Sequence, residues 1–112
     1  MEYRKNKIRL LLACNDNADY SNVKNIFSKD NYYIHKAACG KQIIELATSL
    51  CPELIVIAGS FSDMNTNEII TNLRSWSNSP IIIMEKECSS SAQVKYLYAG
   101  ADDYIEKPYS LG

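Results

Sequence analysis

Apolar residues in this chain fall into short blocks separated by longer amphipathic stretches. The block Leu54-Ile-Val-Ile-Ala58 is too short for a helix that stands alone and is rich in β-branched residues. It reads as a strand buried on both faces, at the centre of a parallel sheet. Ile8 to Ala13 and Ile81 to Met84 have the same character. Tyr32 to Ala37 is more mixed and reads as an edge strand, and Asp103-Tyr-Ile105 as a short last strand. Between these blocks the period changes. Tyr20, Val23, Ile26 and Phe27 predict a first helix, opened by Asp16 or Asn17 and running to about Ser28. Gly40 opens a second, with Ile43, Ile44, Ala47 and Leu50 on one face and Pro52 beyond its end. A third carries Ile69, Ile70, Leu73 and Trp76, with Trp76 expected to pack at its end, and begins at the capping box Asn65-Thr-Asn-Glu68. Ser90-Ser-Ala-Gln93 is a second capping-box candidate, leading into Val94, Leu97 and Tyr98, and Gly100 ends that helix.

Strands and helices therefore alternate over residues 1–112, read as one domain. Alternation with short connections implies right-handed crossovers and a parallel sheet with helices on both faces. The expected fold class is α/β, flavodoxin-like, with strand order 2-1-3-4-5. A fifth helix would normally follow the fifth strand, and the sequence stops at Gly112. The expectation is an uncovered flank on the last strand and fourth helix, inviting a partner. In such sheets the loops beyond the carboxyl ends of the strands build the site. The central strand ends in Ala58, whose methyl group offers no chemistry.

Composition narrows the classes. Net charge is −1, so bulk electrostatics do not point to direct nucleic-acid binding. No apolar run approaches the ~20 residues that span a bilayer, and no signal peptide is read at the start. A cytoplasmic location is expected, with no membrane partner. Cys14, Cys39, Cys51 and Cys88 show no CxxC or metal-ligand spacing, so neither a zinc site nor a disulfide framework is expected. His35 stands alone on the mixed strand. Tyr32, Tyr33, Tyr96 and Tyr98 are candidates for covering edges or partner surfaces.

Gly100-Ala-Asp-Asp-Tyr-Ile-Glu-Lys-Pro-Tyr109 resembles the end of a two-component response regulator receiver domain of the OmpR/PhoB branch. Leu73-Arg-Ser-Trp-Ser77 followed by Pro80-Ile-Ile-Ile83 is similar to the KdpE-type receivers of that branch, and Cys51-Pro-Glu-Leu-Ile-Val-Ile57 to the approach to the family's phosphoacceptor. The resemblance covers nearly the whole chain and implies a CheY-like fold. It also implies a set of working positions. The phosphoacceptor aspartate is matched by Ala58, and the acidic pair that holds Mg²⁺ by Cys14 and Asn15. The phosphoryl-binding Ser or Thr is matched by Glu85, the lysine by Lys107 before Pro108, and the switch aromatic by Tyr104. An acyl phosphate needs a carboxylate, and Mg²⁺ needs hard, mostly anionic oxygens. The expectation is a degenerate pocket, a pseudo-receiver that binds no Mg²⁺, needs no cofactor and is not an enzyme.

Glu85 is expected to pair with Lys107, supplying in cis the anion that phosphate would bring. The family dimer face is matched in part, by Asp102 and Asp103 and, at a basic position, by Gln93. The resulting reading is a phosphorylation-independent protein-interaction or dimerisation module, regulating an output such as transcription, with DNA reached only through an output domain outside this sequence. The alternative is a small-molecule or redox sensor built on the vacated pocket around Cys14, Ala58 and Lys107. A receiver phosphorylated elsewhere and a flavin-binding electron carrier are weaker readings, the latter because Cys14-Asn-Asp-Asn17 carries acid where a flavin phosphate would want hydroxyls and amides.

Overall fold

The alternating pattern folds into β1 (Ile8–Ala13), α1 (Asn17–Ile26), β2 (Tyr32–Ala37), α2 (Gly40–Leu50), β3 (Leu54–Ala58), α3 (Thr66–Arg74), β4 (Ile81–Glu85), α4 (Ser90–Ala99) and β5 (Asp103–Glu106). The structure, a computed structural model, describes residues 7–27, 31–85 and 90–106. The five strands form one parallel sheet in the order β2-β1-β3-β4-β5. This is the expected flavodoxin-like order, with the doubly buried run Leu54–Ala58 at the centre.

Each face of the sheet packs on its own core. On one side Leu11, Ala13, Ile55, Ile57, Ile81 and Ile83 meet Ile43 and Ala47 of α2 and Ile69, Ile70 and Leu73 of α3. On the other, Leu10, Leu12, Val56 and Met84 meet Val23 of α1. Strands that bury both faces have no polar side to alternate with, which is why β1, β3 and β4 read as continuous apolar runs.

The helix ends follow local chemistry. The Asp16 carboxylate accepts from the Ala18 N–H at 2.8 Å and caps α1. At α3 the capping box is complete: Glu68 N–H donates to Asn65 Oδ1 at 2.9 Å and Asn65 N–H to Glu68 Oε1 at 3.0 Å. Gly100 ends α4 at φ +125°, a conformation that strains any residue with a Cβ. Cys51 closes α2 in the left-handed region, and the Arg9 guanidinium donates to the carbonyls of Leu50 (3.1 Å) and Cys51 (3.0 Å).

Some boundaries differ from the sequence expectation. Helix α1 stops at Ile26, because Phe27 is already extended. Strand β4 includes Glu85 and β5 includes Glu106. Ser90 is the first helical residue of α4 rather than its cap. Trp76 lies just past the end of α3, is 47% exposed, and donates its indole N–H to Asn72 Oδ1 of that helix at 3.0 Å. Helix α4 has no buried residue, and Val94, Leu97 and Tyr98 face outward.

Candidate functional site

Parallel register brings the carboxyl ends of β1, β3 and β4 side by side. Ala13 lies opposite Ile57, and Ala58 opposite Met84. Cys14, Ala58 and Glu85 are thereby gathered at one end of the sheet, with Asn15 in the loop beyond β1. Cys14 and Ala58 are fully buried in the apolar cluster that includes Val56 and Met84. The Cys14 N–H donates to the Ala37 carbonyl at 3.0 Å, tying the strand end down.

The loops beyond β1 and β3 are clasped together. Asn15 Nδ2 donates to the Ser60 carbonyl at 2.7 Å. Between them Gly59 holds φ +119°, and a Cβ there would lie 3.6 Å from Asn15 Oδ1. The loop after β3 thus turns sharply beside the Asn15 amide. A second tie holds the same loop further on: Asp63 accepts from the N–H groups of Gly40 (2.8 Å) and Lys41 (2.9 Å) at the start of α2. These bonds, that of Gly40 first, hold the Asp63 carboxyl below the usual carboxylate range.

The donor set does not fit Mg²⁺. Cys14 is soft and buried, Ala58 has no heteroatom, and Asn15 turns an N–H rather than an anionic oxygen toward the Ser60 carbonyl. Asp16, the next acid, uses a carboxylate oxygen to cap α1. Among the described residues, no group of three or more His, Cys, Asp or Glu side chains is placed to hold a metal ion.

At the end of β4 the chemistry is different. Glu85 Oε2 accepts from the Tyr96 hydroxyl at 2.9 Å, joining the strand end to α4. The Tyr96 ring stacks on Tyr104 of β5, with centroids 6.4 Å apart and planes 21° from parallel. The Tyr104 hydroxyl is buried, so this side chain is turned inward. Tyr96 therefore serves the interior, correcting the expectation of a surface role, whereas Tyr98 is 86% exposed and Tyr33 lies open on the edge strand. Lys107, the expected partner of Glu85, lies outside the described residues, as do Pro108 and Cys88.

The acids after α4 also have partners. Asp102 Oδ2 accepts from Arg74 and from the Ile81 N–H, both at 2.8 Å, and Asp103 Oδ1 from the Tyr104 N–H at 2.8 Å. Gln93 sits half-buried on α4. Arg74 is a hub that spacing did not single out. Its guanidinium donates to the carbonyls of Gly100, Ser77 and Ser79 as well as to Asp102. Arg74, Asp63 and Tyr96 share one trait: each acts on a segment distant in sequence, so no local period marks them.

A family model for the response regulator receiver domain matches residues 11–112. The transcriptional regulatory protein KdpE of Mycobacterium tuberculosis (strain H37Rv) is 30% identical over 80 residues, covering 71% of this chain and 35% of that protein. The response regulator MprA of Mycolicibacterium vanbaalenii is 30% identical over 105 residues, 93% of this chain and 46% of that protein. The chain spans less than half the length of these curated relatives. A two-component response regulator structure from Clostridium difficile aligns with a TM-score of 0.86 over 94% of this chain and 87% of that one, at 22% identity, which speaks to the fold alone.

Proposed function

We propose that this chain, which belongs to the response regulator receiver family, regulates an output through protein contacts without aspartyl phosphorylation. The observation that carries the reading is the buried methyl of Ala58 at the end of the central strand, under loops clasped by the Asn15–Ser60 hydrogen bond. Phosphoryl transfer to this family's position needs a carboxylate nucleophile and a cation to neutralise the developing charge. Neither Ala58 nor the side chains of Cys14 and Asn15 supply them. The domain is read as a binding module and not as an enzyme, with a protein partner or a second copy as its target. KdpE is described as a transcriptional regulatory protein, and control of transcription through an output domain outside these residues is the corresponding role here. A redox or small-molecule sensor would need access to Cys14, and its burial weighs against that alternative.

The test is a pair of backbone amide NMR spectra, with and without Mg²⁺ plus beryllofluoride. Superimposable spectra are expected. Shifts spreading from the loops beside Ala58 to Tyr104 would show that an anion still acts at the site, and would replace this reading with a ligand-gated switch.

A further inference from the structure

Helix α4 meets the core through partly buried side chains, Tyr96 and Ala99 among them. It has ten residues and none is buried, while Val94 and Leu97 are each about half exposed. A helix of this length is marginal in water on its own, so its position depends on specific tertiary contacts. Two of its anchors lie at its carboxyl end and at its middle. At its carboxyl end Gly100 packs under Arg74, whose guanidinium grips the Gly100 carbonyl at 2.8 and 3.1 Å. In mid-helix the anchor is Tyr96, whose ring lies on Tyr104 and whose hydroxyl reaches the carboxylate at the end of β4. A hydrogen bond to a carboxylate is stronger than a neutral one, and half-burial of both partners limits competition from water.

We propose that the Glu85–Tyr96 hydrogen bond is a pin that fixes α4 and the inward-turned Tyr104 against the end of β4, so that the outer face of α4 is presented in one arrangement. The pin joins the strand end at the candidate site directly to an exposed apolar surface. It goes beyond the function proposed above and does not depend on it, since the bond is made by side chains of this chain whether or not an anion binds near Ala58. A change that breaks it lets α4 and the Tyr104 ring move together, while α1 and α2, on other contacts, stay in place.

The experiment is amide hydrogen exchange and aromatic NMR on the whole chain with Tyr96→Phe, Glu85→Ala and Glu85→Gln. Tyr96→Phe removes one hydroxyl and keeps the stacked ring. It is expected to speed exchange of the α4 amides about tenfold and to shift the Tyr104 ring resonances, with α1 and α2 unchanged. Glu85→Ala should do the same, whereas Glu85→Gln, which keeps an acceptor oxygen, should stay near the parent. Unchanged α4 exchange and Tyr104 resonances in Tyr96→Phe would overturn the proposal. So would an equal rise in exchange across every helix, which marks a purely global contribution to stability. Should Glu85→Ala fail to fold, Tyr96→Phe decides alone. The beryllofluoride spectra read the loops beside Ala58 in the parent chain, so failure there and failure here are distinguishable.

Discussion

The Tyr96 hydroxyl and the Glu85 carboxylate meet at 2.9 Å, linking the middle of α4 to the end of β4. A glutamate at a strand end beside an apolar cluster needs a partner, and a phenol supplies one without adding a second charge. The strand contributes the acceptor and the helix contributes the hydroxyl. The consequence is a connection between site and surface made wholly of resident side chains.

A carboxylate introduced at Ala58 alone is expected to bring no phosphorylation. Ala58→Asp places a carboxyl group in a cluster with Val56 and Met84, beside the buried Cys14. Burying an ionisable group in an apolar cluster costs on the order of 2–3 kcal/mol. A lower midpoint in urea denaturation is expected, with no phosphate incorporated from acetyl phosphate and Mg²⁺ by intact-protein mass. Stoichiometric phosphorylation of that single variant would show that the pocket tolerates a metal after all.

The clasp between the two loops is measurable through Asn15. Asn15→Ala removes the 2.7 Å bond to the Ser60 carbonyl. A loss of about 1 kcal/mol in stability is expected for one neutral hydrogen bond at an exposed loop. Amides following Gly59 should exchange faster, and those of α4 should not. No change in either readout would show that the loops hold their form without the clasp.

Acidification should act on Asp63. Its folded carboxyl titrates below the ordinary value of 3.8, because the Gly40 and Lys41 N–H groups favour the charged form. The stability it contributes is fully present above that ordinary value and is lost as pH falls through the lowered folded value. The difference in denaturation midpoint between the parent and Asp63→Asn should therefore be constant near neutrality and shrink below pH 3.8. A difference that stays flat down to the acid limit would mean the carboxylate is not what ties the loop to α2.

Arg74 and Gly100 should prove inseparable. Arg74→Ala strips donors from three backbone carbonyls and from Asp102, and a loss of about 2–3 kcal/mol is expected. Arg74→Lys should rescue little, since one ammonium cannot reproduce the planar fork. Gly100→Ala is expected to cost at least about 1 kcal/mol, from its positive φ and a new methyl 2.9 Å from Arg74 Cγ. Combined with Arg74→Ala it should cost less than the sum in a double-mutant cycle by chemical denaturation, because the methyl then has room.

Strand and helix order, the capping box Asn65–Glu68, the left-handed Gly100 and the doubly buried centre of the sheet were all legible along the chain. These depend on the period of a segment's own residues and on short-range hydrogen bonds, and both are written in neighbouring letters. The lack of a nucleophile at Ala58 was legible too, since a residue's chemistry needs no fold to be known. What only the tertiary structure decided is which side chain from another element arrives at each position. Asn15 meets Ser60 across 45 residues, Arg74 meets Asp102 across 28, and Tyr96 turns in to Glu85 across 11 while Tyr98 turns out. Tyr96 and Tyr98 stand two apart on one helix and so point to different sides. Their spacing alone could not say which side would face a carboxylate, because that is set by how α4 lies on the sheet.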